Sequence, residues 1–272
     1  MRRLTPFSQM TTEALAAKRV VMLDVDDTLT TDGRLTPESY SSLASLKAAG
    51  LVVIPVTGRP AGWCDMIARF WPVDAVVGEN GAFSFRYDHA GRRMHRTYAA
   101  SSDERAAQRQ KLDALARLIL AEVPDAAIAS DQSYREADLA IDFAEDVGPL
   151  DRCAVATIVR LFEEAGAVAK VSSIHVNGWF GAHDKLSTAL RLLATEFDCG
   201  AEEAKATVIF VGDSPNDAPM FGYFDDAVGV ANVLGVADLC PALPRWVTRA
   251  RSGDGFVEVA ASLLSSRNLP HA

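Results

Sequence analysis

Asp24 and Asp26 stand one residue apart where an apolar run ends. The preceding Val20-Val21-Met22-Leu23 has the length and composition of a buried strand. Side chains alternate across a strand, so both acids leave the sheet facing the same way. Two carboxylates held that close repel unless a cation or a shared proton relieves them. The chemistry such a pair suits is magnesium-supported, with one Asp attacking as a nucleophile and the other moving protons. The alternative for this run alone is a solvated, Asp-rich turn after a strand.

Three further signals fall at the ends of strand-like runs or the start of a helix. Thr57-Gly58-Arg59-Pro60 follows the run Leu51 to Val56, Lys185 opens a helical pattern, and Gly212-Asp213-Ser214-Pro215-Asn216-Asp217 follows Val208 to Val211. In isolation Thr57 reads as a helix cap, Arg59 as a solvated turn residue and Lys185 as a surface lysine. The last loop says more, because Asp-rich, Asn-containing turns after a buried strand build cation cages from oxygen ligands. All three lie where open α/β sheets bind ligands, at the carboxyl ends of strands.

The elements that must position these residues alternate strand and helix. Val20 to Val25 is expected as a strand, Pro37 to Ala49 as a helix closed by Gly50, Leu51 to Val56 as a strand, Ala61 to Phe70 as a helix and Ala75 to Val77 as a strand. Pro at a first helical turn and Gly just past the last follow the usual asymmetry of helix ends. From about Ala82 the pattern changes. A hairpin is expected around Asp88-His89-Ala90-Gly91, then a helix over Asp103 to Glu122, strands near Ala126 to Ala129 and Leu139 to Phe143, and a helix over Leu150 to Ala165. Strands near Val168 to Val171 and Ile174 to Trp179 close this segment, and the doubly wound pattern then resumes to a final helix over Gly255 to Leu264. The reading is α/β: a doubly wound, Rossmann-like parallel-sheet core (residues 1–82 and 183–272) carrying an inserted α+β cap (83–182).

Composition narrows the function. With 272 residues, 49% of them hydrophobic, the chain can bury a large core in one or two domains. A formal charge of −9 argues against a general binder of nucleic acid or anionic membrane. It leaves room for a small anionic substrate held by a local cluster. Cys64, Cys153, Cys199 and Cys240 are far apart and lack zinc-site or disulfide-frame spacing. The first eighteen residues lack a continuous apolar stretch, and no run is long enough to span a bilayer, so a soluble cytoplasmic protein is expected.

Taken together, these stretches resemble the four motifs of the haloacid dehalogenase-like superfamily of phosphotransferases. Asp24-Val25-Asp26-Asp27-Thr28 matches the first, Thr57 the second, Lys185 the third and Gly212-Asp213-x-x-Asn216-Asp217 the acidic fourth. An insertion between the second and third motifs marks a C2 cap. The Asn80-Gly81-Ala82 entry into it looks like the Cof-like, subclass IIB branch, which includes phosphatases of sucrose phosphate and mannosyl-3-phosphoglycerate. The resemblance covers the core, roughly two thirds of the chain.

That resemblance implies a phosphoric monoester hydrolase with Asp24 as nucleophile and Asp26 as acid/base. Mg2+ would be held by Asp24, Asp213, Asp217 and the backbone carbonyl of Asp26, while Thr57 and Lys185 would steady the transferring phosphoryl group. The substrate would be a small phosphorylated metabolite, a sugar or sugar-acid phosphate. Gly58, Arg59, Glu79, Asn80 and Asn216 are candidates for contacting it from the core. In the cap, Ser173, His175, Asn177 and Trp179 alternate with Ile174, Val176 and Gly178, giving one polar face with an aromatic end. The competing reading of that face is the solvated outside of the cap sheet. Asp131, Gln132 and Arg135 form a second polar stretch that could line the mouth.

Other functions keep part of this pattern. A dehalogenase does not need an acid such as Asp26 to protonate a leaving alkoxide. A phosphomutase would share the core, and a phospho-acceptor signalling domain would be far shorter. A catalytically silent binder of phosphorylated ligands would have no need to keep Asp24, Asp26, Lys185 and Asp213 together.

Overall fold

The computed structural model describes residues 4–267. Its centre is a six-stranded sheet in the order Thr5–Pro6, Trp246–Val247, Ala227–Gly229, Val208–Gly212, Val20–Leu23 and Val52–Pro55. Every neighbouring pair in this sheet is parallel. Val20–Leu23 is buried on both faces, as a parallel strand between helical layers must be. Val21, Leu23, Val53, Ile209 and Val211 feed one hydrophobic cluster, closed by Leu43 and Leu46 of the helix Pro37–Ala48 and Phe256, Val259 and Leu263 of the helix Ser252–Ser265. Val20, Met22, Ile54, Val208 and Phe210 feed the other, covered by Ala189, Leu192 and Leu193 of Lys185–Glu196 and by Met220 and Phe221 of Ala218–Tyr223.

Val20–Leu23 lies between Val52–Pro55, the next strand of this sheet in sequence, and Val208–Gly212, which comes after the insertion. The strand order therefore reverses at Val20–Leu23, and loops leaving there diverge to open a crevice. Register aligns Leu23 with both Val211 and Pro55. The residues that follow these three strand ends accordingly emerge at one level.

The inserted segment builds a four-stranded antiparallel sheet in the order Val168–Val171, His175–Trp179, Leu139–Asp142 and Ala127–Ile128. The helices Ser102–Glu122 and Arg152–Glu164 cover it through Leu112, Leu115, Ile119, Ile158 and Phe162. Ser101 starts the first of these with a capping box to Glu104, which fixes the helix boundary. The hairpin Phe83–Asp88 and Arg93–Tyr98 pairs instead with Val76–Gly78, which bridges to Val56 of the central sheet. Phe83 and Phe85 share a cluster with Cys64, Ile67 and Val76. Thus the hairpin, which sequence assigns to the insertion, packs with the core, and the cap's own hydrophobic cluster begins at Leu112.

The short strands Thr5–Pro6 and Trp246–Val247 and the helices Thr12–Ala16, Ala201–Thr207 and Ala218–Tyr223 escape a sequence reading, since too few turns or alternations exist to show a period. Among the described residues no helix is long and apolar enough to cross a membrane.

Candidate active site

Asp24 is the first residue beyond its strand, and its amide still donates to the Val211 carbonyl at 2.9 Å. The ladder thus fixes the backbone of Asp24 against the strand that leads to Asp213. Its carboxylate receives Nζ of Lys185 at 2.8 Å, and the same ammonium donates to Asp217 at 2.7 Å. Lys185 is only 2% exposed. Burial opposes its charge, but Asp217 and Asp24 outweigh burial and raise its pKa. Burial pushes Asp24 up to about 7, with Asp217 and Asp26 adding to the effect and Lys185 opposing it. Asp213 is driven upward in the same way, by burial first and then by Asp24 and Asp217.

The fourth loop is braced from within. One oxygen of Asp217 accepts the amides of Asp213 at 3.0 Å and Ser214 at 3.3 Å, while Thr28 donates to Asp213 at 3.0 Å. A β-carbon at Gly212 would fall 2.4 Å from the Asp217 carboxylate, so only glycine lets that acid fold back under the strand end. Oxygens of Asp24, Asp213 and Asp217 come within 4.8 Å of one another, all buried. An all-carboxylate, all-oxygen set of this size fits a hard divalent cation such as magnesium, and three carboxylates beside one ammonium leave negative charge for it to neutralise.

Asp26 is turned toward Arg59. The guanidinium holds it through Nε at 3.0 Å to both oxygens and through Nη2 at 2.8 Å to one. Nη2 also donates to Glu145 of the cap at 2.7 Å, and Nη1 lies 3.5 Å from Asp131. Arg59 stacks over Trp63 at 4.4 Å from the ring centroid. Thr57, fully buried, accepts the Arg59 amide at 3.1 Å, so the second loop is wound around its own hydroxyl.

The entry loop to the insertion is unusual backbone. Glu79 and Asn80 take φ of 43° and 52°, in the left-handed region that costs a non-glycine residue about 1–3 kcal/mol. Gly81 follows at φ 105°, where a β-carbon would lie 2.0 Å from the Asp184 carbonyl oxygen. The loop is thereby pressed against the start of the Lys185 helix, and Thr188 of that helix donates to the Gly81 carbonyl at 2.6 Å. What offsets the strain is Glu79, whose buried carboxylate accepts the amides of Ala61, Glu136, Ala137 and Asp138 at 2.6–3.1 Å. Burial, with Asp138 adding, pushes Glu79 up to about 7 against the pull of Arg135 and these amides. Arg135 reaches in parallel from cap to core, donating to Asp131, Asp138 and the Gly58 carbonyl.

Asp24, Asp26, Gly58, Arg59, His175, Asn177 and Asn216 line one cleft between core and cap. Its cavity volume is about 10 Å3, on the order of what one water requires, so the cap stands down on the core. His175 and Asn177 are buried, so this strand face is not the solvated outside of the cap. Asn177 donates to Asp138 at 3.0 Å. Trp179 does not line the cleft; its indole donates to the His183 carbonyl at 3.2 Å and its ring stacks on His183. Gln132 is spent on the backbone of Asp138 and Ala140. Asn216 donates to Asn80 at 3.4 Å, whereas Nδ2 of Asn80 is buried without a partner. Glu145, Asp138 and Thr28 belong to the same constellation and went unnoticed as site residues in the sequence.

A family profile described as haloacid dehalogenase-like hydrolase matches residues 21–134. The chain is similar to the haloacid dehalogenase-like hydrolases over that stretch, and it is an enzyme of the hydrolase and phosphatase type with the Cof-like arrangement of core and inserted cap. A phosphoglycolate phosphatase of Haloarcula marismortui is 28% identical over 250 residues, which cover 89% of this chain and 95% of that protein. The crystal structure of sucrose-phosphatase from Synechocystis shares the fold of this hydrolase with a TM-score of 0.61 at 14% identity, over 90% of this chain and 98% of the other. The C-terminal domain of C. albicans trehalose-6-phosphate phosphatase does so at 0.68 and 14%, over 99% and 100%.

Proposed function

We propose that this hydrolase removes phosphate from a small phosphorylated metabolite, a sugar or sugar-acid phosphate, through an aspartyl-phosphate on Asp24. The observation that carries the reading is Lys185 buried between Asp24 and Asp217, with Asp213 alongside. A purely structural site has no need of three buried acids around one lysine, because an apolar replacement of such a group is often as stable or more so.

An Asp24 oxygen attacks phosphorus as the bond to the leaving oxygen breaks, and Asp26 gives that oxygen its proton. Asp26 then takes a proton from the water that attacks the phosphoryl-aspartate, and the Asp24 carboxylate is restored as phosphate departs. Arg59 aims the Asp26 carboxylate through its three contacts. Lys185 and Thr57 offer charge and a hydroxyl to the transferring phosphoryl oxygens, whose charge shifts as the transition state forms. Magnesium held by Asp24, Asp213 and Asp217 would neutralise the phosphate and the nucleophile together. Asn216 lines the same cleft, and the glycine at 58 leaves room for Asn80, which a β-carbon there would meet at 3.1 Å.

The sugar-acid alternative gains weight from the Haloarcula relative, whose name gives it phosphoglycolate as substrate. Phosphate release from a panel of phosphorylated sugars, sugar acids and nucleotides, with magnesium or EDTA, tests the proposal. The expected result is magnesium-dependent release that Asp24→Asn abolishes. Release that persists in folded Asp24→Asn would overturn the covalent route.

A further inference from the structure

Against two residues that line the cleft, Arg59 and His175, stands a carboxylate that the chemistry above does not use. Glu145 sits on the irregular loop after Leu139–Asp142, and Asp142 fixes that loop by accepting the amides of Ala144, Glu145 and Asp146 at 2.8–2.9 Å. One Glu145 oxygen takes Nη2 of Arg59 at 2.7 Å. The other lies 2.9 Å from Nε2 of His175, off the direction of a hydrogen bond, so this buried nitrogen keeps no hydrogen-bond partner. The hydroxyl of Ser173, on the same wall, is also buried without one. Arg59 and His175 are fixed, with side chains 5% and 3% exposed, whereas that of Glu145 is 28% exposed and able to swing outward.

We propose that Arg59 and His175 form the seat for a carboxylate on the substrate's leaving group, and that Glu145 is a resident stand-in which the substrate displaces. The proposal rests on the phosphatase reading and names its substrate class, a short phosphorylated hydroxy acid. Charge balance favours such an exchange, because one carboxylate replaces another on the same guanidinium. A neutral hydroxyl in that place would leave a buried cation short of its partner. The close approach of His175 and then the hydrogen bond from Arg59 hold Glu145 at about 2, so the resident group is an anion at any working pH.

Geometry sets the length of the acid. Nη2 of Arg59 bonds Asp26 at 2.8 Å and Glu145 at 2.7 Å, so the two oxygens are at most 5.5 Å apart, the two contacts laid end to end. Asp26 serves the leaving oxygen. The leaving oxygen stands one hydrogen bond from Asp26, so a carboxylate in the place of Glu145 belongs to a short acid of a few carbons, at about 1.5 Å per bond.

The test compares kcat/KM for 2-phosphoglycolate and for 2-hydroxyethyl phosphate, which differ only in carboxylate against hydroxymethyl, with p-nitrophenyl phosphate as an unrelated substrate. The wild type is expected to prefer the acid at least tenfold. Glu145→Gln, which keeps the shape and removes the competing charge, is expected to widen the preference through a lower KM for the acid, and His175→Gln to narrow it. Glycolate should inhibit the wild type competitively where ethylene glycol does not, which reads the seat with no substitution. Equal hydrolysis of acid and alcohol, or a preference that Glu145→Gln leaves unmoved or narrows, overturns the proposal and leaves the phosphatase reading intact. No release from any of the three compounds with magnesium present overturns that reading, and the proposal falls with it.

Discussion

Lys185→Met removes the one ammonium from between Asp24 and Asp217 and leaves a side chain of similar length in its place. The three acids, with oxygens within 4.8 Å, then face one another without a protein cation. At that separation two like charges repel by about 3.5 kcal/mol at an effective dielectric of 20. Breaking one side of a buried ion pair typically costs about 3–5 kcal/mol. The same range is expected here in EDTA, a fall in Tm on the order of 10 °C for a chain of this size. Magnesium should restore much of that loss, because it binds the folded cluster and not the unfolded chain. The assay is thermal unfolding of wild type and Lys185→Met in EDTA and in magnesium, beside phosphate release, which should fall about 10²–10³-fold. Equal destabilisation in EDTA and magnesium would refute the reasoning, since the lost lysine would then be a packing element and not the counter-charge of a cation site.

The metal-free wild type should gain stability as pH falls from about 7 toward about 4.5. Asp24 and Glu79 have folded pKa values of about 7 against 3.8 and 4.5, so the folded state binds more protons in that window and stability drops as pH rises through it. A Tm in EDTA no higher at pH 5 than at pH 7.5 would contradict this, and magnesium should flatten the Asp24 share. Glu79→Gln loses a carboxylate that accepts four amides; a cost of about 2–4 kcal/mol is expected, with faster hydrogen exchange at residues 136–138. Gly81→Ala drives a β-carbon into the Asp184 carbonyl, so activity should fall with stability, and preserved activity would show that the Lys185 helix need not be held there. Arg59→Lys cannot make the paired contact to Asp26, so kcat should fall at least tenfold while Tm changes little.

The core was legible in the sequence because its signals are local and redundant. A four-residue apolar strand ending in two acids, a helix opening with Pro37 and a strand ending at Gly212 are each set by periodicity and end residues. Asp213 and Asp217 were readable as a loop rich in oxygen donors, and the structure gathers them with Asp24, whereas Lys185 gained meaning from the resemblance alone, since nothing in a helix's first residue says that it is buried. The cap was readable as elements but not as a surface. His175 and Asn177 do face the cleft, yet Trp179, in the same alternation, is captured by His183, because strand alternation gives a face and not what lies across from it. Glu145 was hidden in an acidic stretch that looks like a solvated loop, and only the long-range contact with Arg59 distinguishes it. The hairpin was read as part of the insertion because a change of pattern at Ala82 carries no information about which cluster Phe83 and Phe85 will join.

The strand order has a consequence for biosynthesis. Lys185 comes 161 residues after Asp24, and the contact between Thr28 and Asp213 spans 185. At roughly 5–20 residues per second, a ribosome needs on the order of ten to thirty seconds to supply the partners of an acid it has already released. During that interval Val20–Leu23 has its neighbour Val52–Pro55 but not Val208–Gly212, and so exposes an unpaired parallel edge ending in unneutralised carboxylates. Those charges make a poor template for another chain's strand, so the acids proposed to carry the reaction also guard the nascent sheet against aggregation.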